Sequence, residues 1–176
     1  MSDAIGAFSR EQILARFRNP AAAQSELEQN LQTADIPAEE QESLGLLVLA
    51  EAASSADPDR AVSNLTRFMQ GPVAPRETLR GLRSQPEILH ALMILLGGSQ
   101  FLSNVLITQP ETFEWLFTSE HFLRPRSANV YAAEARAVCQ GKEGRLETRK
   151  ALSDWRKREM LRIGVRDLLS PVSYTH

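Results

Sequence analysis

The chain has 176 residues, of which 43% are apolar and 24% charged, with a formal net charge of −2. That length suits one domain, with room for a second small element, and it can bury a core without metals or disulfides. The single cysteine, Cys139, excludes an internal disulfide and a thiolate cluster and fits a reducing, cytoplasmic setting. Met1-Ser2-Asp3-Ala4 shows no basic region leading into an apolar run, so no secretory signal is read. The longest apolar run, Ala91 to Leu96, is far short of the ~20 residues that a membrane span requires.

Nothing reads as a strand, because no segment alternates in polarity between two turn signals. Helix starts recur instead. Ser9 with Gln12 spells a capping box ahead of Ile13, Leu14 and Phe17. Asn19-Pro20 sets up a second helix with proline at its first position, and Pro37 opens a third around Leu44 and Leu46 to Leu49. Asp57-Pro58 opens a fourth, carrying Val62, Leu65 and Phe68 and closed near Gly71. A turn follows at Pro72 to Pro75, then a short helix or irregular turn at Thr78 to Arg83.

Pro86 starts the most apolar helix, Ile88 to Leu96, which has almost no polar side and is therefore central. Leu92 is its expected core residue. Gly97-Gly98 breaks it, and Ser99 caps a narrow amphipathic helix through Phe101, Leu102, Val105 and Leu106. Pro110-Glu111 restarts the chain into Phe113, Trp115, Leu116 and Phe117, a cluster whose spacing reads as core. His121 to Ser127 is a loop, and Ala128 to Gln140 is an alanine-rich helix. After a basic turn flanked by Gly141 and Gly144, a long helix runs from about Arg145 to Leu169. The predicted fold is all-α: an irregular helical bundle with a long C-terminal helix. The predicted division is a bundle over 1–141, a connector helix over 142–169, and a tail over 170–176.

The last helix carries two apolar arcs where a surface helix carries one. Leu152, Trp155, Met160 and Ile163 share one side; Leu161, Val165, Leu168 and Leu169 lie opposite; Arg158, Arg162 and Arg166 run between, with Glu159. Two readings stay open: the C-terminal end dives into the core, or the second arc faces a neighbouring domain. The second makes Arg158, Leu161, Arg162, Val165, Arg166, Leu168 and Leu169 a candidate domain interface, with the stripe of Leu161, Val165, Leu168 and Leu169 at least partly exposed.

Charge is uneven. Residues 1–57 sum to −7 and residues 142–167 to +4. Acids alternate with the bases in the latter, so it reads as a self-paired helix rather than a surface for nucleic acid.

The run R-K-R-E-M-L-R-I-G-V-R-D-L-L, Arg156 to Leu169, resembles the helix before the nucleotidyltransferase domain in the glutamine synthetase adenylyltransferase/deadenylylase family. Leu89 to Phe117 resembles the same family's apolar helix, G-x-S-x-F-L and P-E-x-x-x-x-L run. The resemblance implies the N-terminal helical segment of an enzyme that adenylylates and deadenylylates glutamine synthetase with ATP and Mg²⁺. Its implied partners are the catalytic domain of the same protein, glutamine synthetase and a nitrogen-signalling regulator, with neither nucleic acid nor membrane. The alternative is a free-standing helical interaction module.

No catalytic residue is carried over by that resemblance. A nucleotidyltransferase needs a Gly-Ser turn and D-x-D on a strand to hold Mg²⁺. Asp57-Pro58-Asp59 matches only in letters, since Pro58 fits a helix start and Asp57 its cap. Gly97-Gly98-Ser99 reads as a helix break. His90 reads as a satisfied core imidazole, and Cys139 as a packed or idle thiol despite Arg136 and Lys142 nearby. Catalytic, cofactor-binding and metal residues are therefore expected to be absent from the chain. The tail Ser170 to His176 breaks the helical pattern at Pro171 and is read as non-native.

Overall fold

The computed structural model describes residues 9–34, 36–71, 81–118 and 126–169. Its long helices, in chain order, are α1 (Arg10–Leu14), α2 (Pro20–Thr33), α3 (Ala38–Ala53), α4 (Pro58–Met69), α5 (Pro86–Gly98), α6 (Gln100–Thr108), α7 (Glu111–Thr118), α8 (Ala128–Cys139) and α9 (Arg145–Leu169). Residues 81–83 are helical as well, and the described residues contain no strand. The all-α expectation is met, long last helix included. The expected turn at Pro72 to Pro75, His121 and the tail from Ser170 lie outside the described residues.

The starts are built as the sequence dictates. Ser9 and Gln12 form a reciprocal capping box, Asn19 accepts from the Ala22 amide, and Asp57 accepts from the Arg60 amide. That amide, with Arg18, holds the Asp57 carboxyl below its ordinary pKa. Ser99 accepts from the Leu102 amide at 3.4 Å, so α6 begins where α5 ends.

Helix α5 is the hub, packed against α3, α4, α6 and α9. Its Leu89, Leu92, Met93, Leu95 and Leu96 are fully buried, because a helix apolar on all sides is stable only when other helices cover it. Gly97 serves close approach rather than flexibility. A Cβ there would fall 2.3 Å from Ser55 Oγ and 3.0 Å from the Asp57 carbonyl, so the α3–α4 turn seats directly on α5. Arg60 donates to the Gly97 carbonyl and Asn64 to that of Leu96, satisfying the C-terminal end of α5.

One detail corrects the sequence reading. His90 is not a core imidazole: its side chain is 43% exposed, and Nδ1 lies 2.7 Å from Glu51 Oε2 of α3. It sits on the rim of α5, where a carboxylate from the neighbouring helix meets it. No single described helix is long and apolar enough to cross a membrane; α5 and α6 pass that test only as a pair bent by 118°. Most of their apolar side chains belong to the core of the bundle, Phe101 being exposed.

Candidate domain interface on the last helix

Helix α9 has two halves of different character. From Arg145 to Arg158 no residue is buried. This half pairs with α8, which likewise buries no side chain. From Glu159 onward α9 enters the bundle and packs across α5 and α6. Gly164 permits the crossing: a Cβ there would lie 2.3 Å from Leu102 Cδ1.

That geometry decides which arc faces inward. Leu161 and Val165 are 0% and 1% exposed and belong to the core cluster. The expectation that they stand exposed is therefore corrected. They point at α5 and α6, whose apolar surfaces cover them within this chain. Met160, from the other arc, is 42% exposed. Leu168 is 40% exposed and rests on Gly98, with Cδ2 3.2 Å from where a Cβ would stand. Leu169 is partly buried against the core, and Arg166 pairs with Asp167 at 3.4 Å.

Arg162 is fully buried. Its Nε donates to Glu159 Oε2 at 2.8 Å, and one Nη donates to the Tyr131 hydroxyl at 2.5 Å. Glu159 also accepts from Arg126 at 3.1 Å, and Arg126 reaches both oxygens of Glu134 at 2.7 Å. Trp155 Nε1 donates to Glu134 at 3.3 Å. Two arginines and two glutamates thus alternate in sign between α8 and α9. Their charges balance, which answers how the arginine row of α9 is offset. In the sequence Glu159 stands beside these arginines, whereas nothing marks Arg126, Tyr131 and Glu134 as its neighbours. Their spacing on α8, three residues apart, places Tyr131 and Glu134 on one face. Burial itself left no signal in the sequence.

Arg158 takes another route: its guanidinium lies 4.7 Å from the Trp115 ring centroid. The other aromatics of α7 fit the core reading, with Phe113 at 5.6 Å from Phe68 and 4.9 Å from Phe117, ring centre to ring centre.

No group of three or more His, Cys, Asp or Glu among the described residues could hold a metal ion. The Asp57/Asp59 pair does not fit Mg²⁺, because both carboxylates are committed. Asp59 accepts from the Arg18 and Asn19 amides at 2.8 and 2.9 Å, and Asp57 caps α4 and pairs with Arg18 at 2.6 Å. Ser103 is buried and donates to carbonyls of α5 and the α5–α6 junction, and Cys139 is half-buried at the end of α8.

Comparison with known proteins covers part of the chain. Residues 89–175 match the sequence model of the family described as glutamate-ammonia ligase adenylyltransferase. Over 116 residues the chain is 31% identical to the bifunctional glutamine synthetase adenylyltransferase/adenylyl-removing enzyme of Leifsonia xyli subsp. xyli (strain CTCB07). The alignment covers 66% of this chain and 11% of that relative's length. No solved structure matches the chain.

Proposed function

Since the chain belongs to the glutamate-ammonia ligase adenylyltransferase family, we propose that it is a non-catalytic helical segment of an enzyme that transfers AMP to and from glutamine synthetase. In this reading the parent protein acts in the cytoplasm with ATP and Mg²⁺ held on a nucleotidyltransferase domain, and the segment braces that domain. The observation that carries the proposal is α9. It lies within the family match, is rooted in the core by Leu161 and Val165, and ends with Leu168 exposed on the bundle surface. A helix fixed at its root and apolar at its tip can transmit a position rather than perform chemistry. Glutamine synthetase and a nitrogen-signalling regulator are the partners this reading assigns to the parent protein.

The test is a reconstitution. The 176-residue chain, given adenylylated glutamine synthetase, Mg²⁺ and phosphate, should release no ADP, the product when phosphate takes up the adenylyl group. Joined to its nucleotidyltransferase domain, it should support release. ADP release by the chain alone overturns the non-catalytic assignment. Equal release by the catalytic domain with and without the chain overturns the bracing role and leaves the free-standing interaction module.

A further inference from the structure

Where the α8–α9 pair meets α7, the surface folds into a cleft of about 590 Å³. That volume lies within the range of small-molecule sites, roughly 300–1,000 Å³. Its walls include Trp115 and Glu111 from α7, Lys142 from the α8–α9 turn, and Asp154, Trp155 and Arg158 from α9. Both tryptophans of the chain therefore line one cleft.

The charges in it are unevenly satisfied. Asp154 is taken up by Gln109 at 3.0 Å and Lys157 at 3.7 Å. Arg158 has no carboxylate partner. Its Nε is buried without an acceptor, whereas neither Nη is buried and neither is hydrogen-bonded. Its position 4.7 Å from the Trp115 ring centroid restrains the guanidinium by a cation–π contact before any ligand arrives. Lys142 is exposed and forms no ion pair. Glu111 is the lining carboxylate without a partner, which leaves the unpaired groups with a balance of one positive charge. A pre-positioned arginine edge without an acceptor is the usual half of a charge-assisted pair.

We propose that this cleft binds a small, singly charged organic carboxylate with a flat body. The carboxylate takes the outer N–H groups of Arg158 with Lys142 beside it, and the flat body lies along Trp155. A multiply charged anion is disfavoured by Glu111, and a neutral ring leaves Arg158 without an acceptor. The site is independent of the bracing role proposed above and shares with the buried ion network only Trp155, which donates to Glu134.

Benzoate, acetate and inorganic phosphate serve as probes, read by ¹H–¹⁵N correlation spectra of the intact 176-residue chain. Its two indole N–H signals, Trp115 and Trp155, report directly from the cleft. Benzoate should move both along saturable curves, acetate should bind about tenfold more weakly, and phosphate more weakly still. Arg158→Gln should weaken benzoate at least about tenfold. Lys142→Ala, on an exposed turn where folding is not at risk, should weaken it about threefold. A linear, unsaturable response to benzoate overturns the proposal. So does tighter binding of phosphate than of benzoate, or unchanged benzoate affinity in Lys142→Ala and Arg158→Gln together, each with a native-like spectrum.

Discussion

Gly164 of α9 lies against Leu102 of α6 so closely that a methyl group at residue 164 would come within 2.3 Å of Leu102 Cδ1. Alanine normally gains about 1 kcal/mol over glycine inside a helix. Here the added carbon has no room, and overpacking of a core costs about 1–3 kcal/mol. Gly164→Ala should therefore lower stability by about 1 kcal/mol in urea unfolding. Gly45→Ala is the control, since its Cβ would meet Leu31 at an ordinary 3.5 Å, and it should stabilise by up to about 1 kcal/mol. A gain from both variants would show that α9 does not depend on close approach at Gly164.

Two leucines on the same arc of α9, one buried and one at the bundle surface, should respond in opposite ways. Leu161→Glu would bury a carboxylate without a partner beside α5 and α6, so helicity should collapse. Leu168→Glu, at a position 40% exposed, should leave the circular dichroism spectrum and melting temperature of the chain nearly unchanged. Leu92→Ala, in the hub, should cost about 2–5 kcal/mol. Retained helicity in Leu161→Glu would reverse the assignment of the inward arc.

The ion network predicts an asymmetry. Arg162→Ala leaves Glu159 buried with only Arg126, and breaking a buried pair from one side costs about 3–5 kcal/mol. Arg162→Met together with Glu159→Gln removes the isolated charge, keeps the Arg126–Glu134 pair and should recover more than half of that loss. Equal destabilisation by the single and double changes would show that packing volume, not charge balance, holds α8 to α9.

Much of this architecture is legible in the chain. The starts at Ser9, Asn19, Asp57 and Ser99 are local chemistry, in which an oxygen satisfies an amide three residues on, so they read directly from the sequence. The hub is legible because a helix apolar all round has one stable environment. The inward side of α9 is not. Both arcs are apolar, and choosing between them requires knowing where α5 and α6 pass, which depends on Gly97 and Gly164 admitting close neighbours. The burial of Arg162 is hidden for a related reason: its acceptors come from Glu159, nearby in sequence, and from Tyr131 on another helix.

His90 gives the fold a pH signature. Its hydrogen bond to Glu51, with that carboxylate's charge, raises its pKa above the ordinary 6.5. A raised folded pKa means that the pair's stabilisation is complete below the unfolded value and fades as pH climbs through the folded one. The stability difference between the natural chain and His90→Gln should thus be largest near about pH 5 and shrink toward about pH 9. A difference that grows with pH would contradict the pairing.

The central proposal, that this segment positions a catalytic domain through the exposed end of α9, is tested most directly by Leu168→Glu in the longer adenylyltransferase that the proposal assigns as its parent. In the 176-residue chain the substitution should leave melting unchanged, because Leu168 stands at the bundle surface. In the parent enzyme it should lower the rate of AMP transfer to or from glutamine synthetase by about tenfold or more, as misplacement of a catalytic unit does. Full activity in the parent, with the bundle intact, would contradict it.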